Sequence, residues 1–295
     1  MAAIVVEDLR KSYGALQAVR GVSFTVETGE VFGLLGPNGA GKTTIIEILE
    51  GYRRRDAGTV QVLGADPEHG GRKLQQRIGL VLQEVAVAPQ LSVSELIDLF
   101  RSYYPSPRPT DEVLHLTGLT EKAGARVRTL SGGQQRRLDV ALGLVGDPEL
   151  IFLDEPTTGF DPSARRGAWE LVRNMRSLGK TIVLTTHYMD EAQNLADRIC
   201  VIAAGQVVAE GTPDTLRGTE EHRTFIRFAA DGIDVGALPL KAQVEDGVVT
   251  IETTTPTRAV NRVTSWALEH GLELDGLEVT RPSLEDVYLE LTSDQ

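Results

Sequence analysis

The 295-residue chain is 41% hydrophobic and 24% charged, which is enough apolar material for one large domain or two small ones. Its longest apolar runs without glycine are six residues, so no membrane-spanning helix is expected, and a single cysteine, Cys200, excludes a disulfide framework. A net charge of −12 argues against a protein that tracks nucleic-acid phosphates. Glu7 and Asp8 come too early for a signal peptide, so we expect a location in the cytoplasm.

Acidic residues are concentrated at the end of the chain. Residues 218–295 carry 15 acidic and 6 basic side chains, a net charge of −9. Residues 1–217 carry 27 acidic and 24 basic side chains, a net charge of only −3. This shift predicts a domain boundary near Gly218, with one domain over residues 1–217 and a second over residues 218–295.

Short β-rich runs separated by glycines open the chain. Strands are predicted over residues 4–9, 22–26, 31–35, 59–63 and 78–82. A helix is predicted over residues 43–50, and Gly51 follows it in the position of a C-terminal cap.

The middle of the chain changes to a helical pattern and then returns to strands. A helical subdomain is predicted over about residues 89–145, with Ser92 or Ser94 as a possible cap for an apolar face that contains Leu96, Ile97 and Phe100. The apolar runs at residues 150–153 and 181–185 are typical of buried parallel strands. A hairpin is predicted over residues 199–209, with its turn at Ala204 and Gly205.

The pattern restarts after residue 213 as a small α+β domain. Strands are predicted over residues 225–228, 242–244 and 248–253, followed by a helix over residues 257–269. A final helix is predicted from Ser283, because apolar residues recur there at helical spacing.

A glycine-rich loop is the strongest chemical motif. It lies between a predicted strand and a predicted helix and comprises Gly36, Pro37, Asn38, Gly39, Ala40, Gly41, Lys42, Thr43 and Thr44. Such a loop turns backbone N–H groups toward phosphate oxygens, and the helix N-terminus adds partial positive charge. Lys42 supplies a cation for the β- and γ-phosphates, and the Thr43 hydroxyl is a suitable Mg²⁺ ligand.

Two carboxylates end a later apolar strand. Asp154 is placed to hold Mg²⁺ through its water shell, and Glu155 to accept a proton from an attacking water. An acidic pair after a strand more often begins a helix, but the preceding phosphate loop favours the catalytic interpretation.

A third motif lies 23 residues before Asp154. It follows Leu130 and comprises Ser131, Gly132, Gly133 and Gln134. Ser131 is a good helix cap, and a glycine-rich helix start leaves N–H groups free for a second anion. The chain therefore has two phosphate-binding features that need not face the same phosphate.

In this order, the three motifs resemble those of the ATP-binding subunits of ABC transporters. The resemblance implies an α/β phosphate-loop ATPase cassette with a mixed central sheet, an antiparallel β subdomain and a helical signature subdomain. Four further positions match family landmarks: Tyr13 for stacking on adenine, Gln83 for sensing Mg²⁺ and water, His187 for the γ-phosphate, and Asp161 for communication across a dimer. Alone, each would be an ordinary surface or core residue.

The end of the chain resembles the antibiotic and daunorubicin-resistance branch of bacterial ABC exporters. The resemblance lies in residues 282–289 and 186–192. It implies a separate ATPase polypeptide on the cytoplasmic face of the plasma membrane and a membrane permease that typically has six helices.

The resemblance also implies a mechanism. Two subunits would sandwich ATP and Mg²⁺ head to tail, with Ser131, Gly133 and Gln134 of one closing over the nucleotide held by the other. The pair would be a homodimer or two paired ATPase subunits. Glu155 would activate water, while Lys42 and His187 stabilise phosphate charge.

Three alternative functions and two roles for the tail were weighed against this interpretation. The chain could energise an importer, or could be an ABC-type ATPase of translation or chromosome maintenance. A different phosphate-loop enzyme, such as a small-molecule kinase, is disfavoured by the intact third motif. The tail could either stabilise the ATPase domain or support its dimerisation.

Overall fold

The computed structural model describes residues 1–81, 88–218 and 224–280, and the chain divides into two compact units. The first unit spans Met1–Thr212, and the second begins at Pro213. The boundary predicted near Gly218 stays a prediction.

The described strands alternate with helices through most of the chain. The strands are β1 (Ala2–Tyr13), β2 (Leu16–Glu27), β3 (Val31–Leu35), β4 (Ala57–Val62), β5 (Ile78–Val81), β6 (Leu150–Asp154), β7 (Thr181–Thr186), β8 (Arg198–Ala203), β9 (Gln206–Gly211), β10 (Thr224–Ala229), β11 (Gln243–Glu245), β12 (Val248–Thr253) and β13 (Glu278–Thr280). The helices are α1 (Lys42–Leu49), α2 (Gly71–Gln75), α3 (Val93–Arg101), α4 (Thr110–Thr117), α5 (Gly132–Leu144), α6 (Pro162–Ser177), α7 (Met189–Leu195), α8 (Pro213–Gly218) and α9 (Pro256–Glu269).

A six-stranded sheet with the order β5-β6-β7-β3-β8-β9 forms the centre of the first unit. Its first five strands are parallel, and β9 pairs antiparallel with β8. Every residue of β3 and β7 is buried, which explains why these strands read as continuous apolar or β-branched runs. Because β6, β7 and β3 are neighbours, the loops that follow them meet at one edge of the sheet.

A second sheet of the first unit is antiparallel, with the order β2-β1-β4. Its hairpin strands are longer than predicted, since Gly21 does not end β2 but lies within it. The register shifts between Val6 and Leu9, where Asp8 has a positive φ of 46°. The register shifts again between Leu9 and Arg10, where Gly21 is left without a partner in the pairing, so this glycine marks a bulge within β2 and not the end of a strand.

The predicted helical subdomain contains α3, α4 and α5 around its own apolar core. Ser92 caps α3 in a capping box with Glu95, whose carboxylate accepts from the Ser92 N–H at 2.7 Å. Leu96 and Ile97 of the predicted face are buried, and Phe100 packs beside them.

The second unit contains a four-stranded antiparallel sheet with the order β11-β12-β10-β13, together with α9. Side chains of β10, β12 and α9 form its core, including Ile226, Phe228, Ile251 and Val263. The helix predicted from Ser283 lies outside the described residues. Among the residues that are described, no helix is long and apolar enough to cross a membrane.

Candidate active site

Close backbone contacts shape the loop between β3 and α1. A Cβ atom on Gly36 would lie 2.2 Å from the Ile202 carbonyl oxygen, and one on Gly41 would lie 2.4 Å from that of Ala18. Gly41 also has a φ of 103°, which disfavours any side chain. The packing of the backbone therefore requires glycine at both positions, whether or not the loop also binds phosphate.

The Lys42 side chain is folded back into this loop. Its Nζ donates to the carbonyl oxygens of Gly36 at 2.7 Å and Pro37 at 3.1 Å, and the residue is only 5% exposed. Burial lowers the pKa of Lys42, whereas the negative charges of Glu155 and Asp154 oppose that shift. The ammonium thus lies near both predicted catalytic carboxylates.

Asp154 and Glu155 are connected through one hydroxyl group on the neighbouring strand. Thr185 pairs with Asp154 in the register of β6 and β7. Its Oγ1 donates to Asp154 Oδ1 at 2.5 Å and accepts from the Glu155 N–H at 3.0 Å. Glu155 has a φ of 44°, a left-handed conformation that costs energy in a residue with a side chain.

The Glu155 carboxylate is held on both sides. Thr158 Oγ1 donates to Glu155 Oε2 at 3.0 Å, and His187 Nδ1 lies 3.2 Å from Glu155 Oε1. The side chains of Glu155 and His187 are 18% and 29% exposed, so both remain open to a small reactant. The structure therefore brings together two residues that are 32 positions apart in the sequence.

Tyr13 lies beside the phosphate-loop helix at the end of β1. Its hydroxyl is 3.5 Å from Thr44 Oγ1, and its ring is 40% exposed. Lys11 Nζ lies 5.7 Å and the Arg53 guanidinium carbon 5.2 Å from the ring centroid. An exposed ring in a cationic setting near the loop suits a nucleotide base.

The third motif begins α5 as predicted. Ser131 Oγ accepts from the Gln134 N–H at 3.3 Å, while the Ser131 N–H donates to Gln134 Oε1 at 3.0 Å, which completes a capping box. No Cβ at Gly132 or Gly133 would meet a heavy atom within 4 Å. These glycines keep the surface of the helix start open for a ligand.

A cavity of about 660 Å³ lies beside this helix start. Residues of the motif and of the α6 start line it, including Ser131, Gly133, Gln134, Phe160 and Asp161. No residue of the phosphate loop contributes to the cavity. Asp161 Oδ1 also accepts from the Ala164 N–H at 2.9 Å, so this residue caps α6. Gln83, the remaining predicted site residue, lies outside the described residues.

Comparison with known proteins identifies the family. The family described as ABC transporter matches residues 19–158, and the C-terminal domain of ABC transporter domain-containing protein-like chains matches residues 224–283. The chain is 39% identical to a daunorubicin resistance ATP-binding protein of Streptomyces coeruleorubidus, over 99% of this chain and 96% of that one. This chain belongs to the ATP-binding subunits of the ABC transporter family.

Two further relatives support the assignment. A Nod factor export ATP-binding protein of Ralstonia nicotianae is 41% identical, over 97% of this ABC subunit and 92% of its own length. A solved ATP-binding cassette, dimeric and bound to ADP and phosphate after hydrolysis, superposes with a TM-score of 0.62. It is 25% identical and covers 71% of this chain and 98% of its own. The fold and the enzyme class predicted from the sequence are confirmed: the chain is an ATP hydrolase.

The sequence analysis missed two residues that hold this ABC subunit's site together. The first is Thr185. The sequence feature that could have revealed it is a polar residue near the carboxyl end of a buried strand. Arg136 is the other: its Nε donates at 3.2 Å to the carbonyl of Pro156, next to Glu155. Arg136 follows Gln134 by two positions, so this bond joins α5 to the loop that carries Glu155.

A buried carboxylate, Glu191, was also missed. Burial raises its pKa, and the side chains of Thr157, Thr186 and Trp169 face it. Both carboxylate oxygens are buried without a hydrogen bond of normal geometry to a described residue. It lies four residues after His187, beside the loop that carries Glu155.

Proposed function

We propose that this chain hydrolyses ATP to drive export through a separate membrane subunit. The two relatives named for daunorubicin resistance and Nod factor export match nearly the whole chain, including the second unit. That full-length similarity favours export over import. The exported molecule would be a drug, an antibiotic, a lipid or a glycan-like compound.

The roles proposed for the nucleotide-binding residues rest on the described positions of their side chains and, for Gln83, on the family resemblance alone. The loop from Gly36 to Thr44 would surround the phosphates, and Lys42 would exchange its bonds with loop carbonyls for bonds with phosphate oxygens. Tyr13 would stack on the base. His187 would contact the γ-phosphate, and Gln83 would sense Mg²⁺ and the attacking water.

Glu155 would act as general base. It would accept a proton from water, while Thr158 and His187 keep its carboxylate oriented. Asp154 and Thr43 offer the oxygen donors that Mg²⁺ prefers, and Gln83 is the third expected ligand. Because the described residues contain no cluster of three or more His, Cys, Asp or Glu side chains, the remaining ligands would be phosphate oxygens and water. Bound Mg²⁺ would neutralise phosphate charge.

The separate cavity beside the start of α5 supports catalysis between two subunits. Ser131, Gly132, Gly133 and Gln134 would close over an ATP held by the opposite subunit, and Asp161 would communicate between the two sites. The open α5 start is suited to an anion that the same subunit's phosphate loop does not hold. The second ATPase chain would be an identical copy or a related subunit.

The membrane partner would have about six helices, and the chain would bind it at the cytoplasmic face of the plasma membrane. No nucleic acid is expected as a partner, since the net charge is −12. An importer would instead be accompanied by a solute-binding protein, so the composition of the purified complex distinguishes the two directions of transport.

The observation that carries this proposal is the Glu155 carboxylate, held between His187 and Thr158 near Lys42. Glu155→Gln keeps the shape of the side chain but removes the base, so phosphate release should fall at least ~100-fold while ATP binding persists. Nucleotide binding, phosphate release and native mass should be measured on the same sample. The variant should accumulate as an ATP-bound dimer. A turnover rate equal to that of the unmodified protein would contradict the general-base role.

A further inference from the structure

An aromatic side chain, Tyr188, lies next to the imidazole of His187, just before α7. The two ring centroids are 4.1 Å apart, and the ring planes are inclined by 40°. The Tyr188 N–H donates to Thr186 Oγ1 at 3.0 Å, so the backbone of Tyr188 is bonded to the end of β7. The proposed reaction gives Tyr188 no role, although this ring packs against the side chain that would contact the γ-phosphate.

Arg165 of α6 contacts the same aromatic ring. Its guanidinium carbon lies 4.7 Å from the centroid of the Tyr188 ring, within the range of a cation–π interaction. Its Nη1 donates to Asp190 Oδ2 at 3.0 Å, and the Arg165 side chain is only 24% exposed. A cation–π interaction is stronger when the cation is partly removed from water, so this contact restrains the Tyr188 ring.

The backbone of Arg165 belongs to the first turn of α6, next to Asp161. The Arg165 N–H donates to the Asp161 carbonyl oxygen at 3.0 Å, and Asp161 Oδ1 accepts from the Ala164 N–H at 2.9 Å. Asp161 also lines the cavity beside the start of α5. Arg165 is therefore bonded to Asp161 through its backbone and contacts the ring beside His187 through its side chain.

The orientation of the His187 imidazole decides which atoms it can contact. Its Nδ1 lies 3.2 Å from Glu155 Oε1, and this orientation leaves Nε2 for another partner, such as a phosphate oxygen. The outer torsion of a histidine side chain is broad, so an imidazole held at one atom alone could rotate. The contact with Tyr188 limits that rotation.

We propose that Arg165 and Tyr188 are positioning residues for His187 and that they link the start of α6 to the γ-phosphate. The proposal rests on the proposed function for the role of His187. Arg165 would hold the Tyr188 ring, and that ring would hold the imidazole with Nδ1 toward Glu155 and Nε2 toward the phosphate. Because Asp161 would lie between two subunits, their closure would act on His187 through these two side chains.

Steady-state kinetics on the full chain tests this arrangement. Tyr188→Leu removes the ring and Arg165→Met removes the charge, so kcat should fall about tenfold and about fivefold, with Kd for ATP within about threefold. Tyr188→Phe keeps the ring and should stay within about twofold. Since Arg165 would act through the ring, the double variant should be no slower than Tyr188→Leu alone. Multiplied effects, or a normal kcat in both single variants, would overturn the proposal.

NMR of the imidazoles separates positioning from a general loss of structure. The chain has five histidines, and the His187 resonance is identified by its absence in His187→Gln. Arg165→Met should shift this resonance, because the Tyr188 ring would turn relative to the imidazole. The matched control, Arg173→Met, changes an exposed arginine of the same helix and should leave the resonance in place. An unchanged His187 resonance in Arg165→Met would show that Arg165 does not position His187.

Failure of the proposed function would give a different result. Normal phosphate release by His187→Gln would contradict the role of His187 itself, whatever the Arg165 variants do. Reduced release by His187→Gln, together with normal release by Tyr188→Leu, would leave the proposed function standing and overturn the positioning role.

Discussion

At the scale of single residues, one threonine organises the two proposed catalytic carboxylates. The Thr185 hydroxyl donates to Asp154 and accepts from the backbone of Glu155, so it fixes the side chain of one and the backbone of the other. Both bonds depend on the parallel register of β6 with β7, which places Thr185 opposite Asp154. A small shift of either strand would separate Asp154, the proposed metal ligand, from Glu155, the proposed general base.

Thr185→Val should therefore impair turnover more than binding. It preserves shape but leaves Asp154 Oδ1 and the Glu155 N–H without a partner, at a cost of about 1–3 kcal/mol. We expect kcat to fall roughly tenfold or more, with ATP affinity within about threefold, as measured by phosphate release and nucleotide titration. Thr185→Ser keeps the hydroxyl and should remain near normal. A fully active valine variant would show that Thr185 does not position the site.

Lys42→Ala should weaken ATP binding. It removes a charged donor that would face phosphate, a loss of about 1.5–3 kcal/mol, which corresponds to roughly 10- to 100-fold in Kd. Calorimetry with ATP and Mg²⁺ measures the change. Lys73→Ala, an exposed lysine of α2, is the control and should bind normally. Equal affinity in the two variants would contradict the phosphate-loop assignment.

At the scale of elements, side-chain caps define where two helices of the first unit begin. Both α3 and α5 begin with a capping box, formed by Ser92 with Glu95 and by Ser131 with Gln134. The same local chemistry has two uses. At α3 the capping box stabilises a helix with no proposed ligand. At α5 it stabilises a glycine-rich helix start that would bind the γ-phosphate of an ATP held by another subunit.

Ser92→Ala should destabilise the helical part of the first unit without touching the active site. Loss of the cap costs about 1 kcal/mol, which corresponds to a Tm lower by roughly 2–4 °C. Thermal unfolding followed by circular dichroism measures the shift. Ser102→Ala, at the opposite end of α3, should change Tm by less. An unchanged Tm for Ser92→Ala would mean that the cap contributes nothing to the stability of this helix.

Much of the fold was predictable because its signals are local. Glycines mark the loop before α1, alternation marks the strands of the second unit, and Ala204 with Gly205 marks the predicted hairpin turn, both with positive φ. The contacts of Thr185, Arg136 and Glu191 were not predictable in the same way. Each depends on which strands become neighbours and on what a helix packs against, and no local pattern encodes that information.

At the scale of the whole molecule, the chain has two units, each with a core of its own. All the proposed nucleotide-binding residues lie in the unit Met1–Thr212, whereas the sheet of β10–β13 and α9 form a separate apolar cluster. The excess of negative charge lies in residues 218–295, which belong to the second unit. The proposed nucleotide site and the second unit therefore lie in separate parts of the chain.

Removal of residues 219–295 should leave nucleotide binding intact. The first unit retains its phosphate loop, both carboxylates and its own cores, so Kd for ATP should change by less than about threefold. Calorimetry measures the affinity, and native mass spectrometry of the ATP-bound Glu155→Gln background measures dimerisation. If the truncated chain still binds ATP but no longer dimerises, residues 219–295 support dimerisation. Loss of ATP binding itself would contradict the independence of the first unit.

The left-handed backbone conformation of Glu155 bears on which residue would be selected at this position. A glycine would adopt a φ of 44° without strain, so a side chain at this position costs the backbone about 1 kcal/mol or more. The backbone conformation taken alone would therefore favour glycine over glutamate at this position. The proposed general-base role would explain why a carboxylate occupies this position, and a copy of this chain released from selection for turnover would be expected to lose Glu155 early while keeping its fold and its nucleotide.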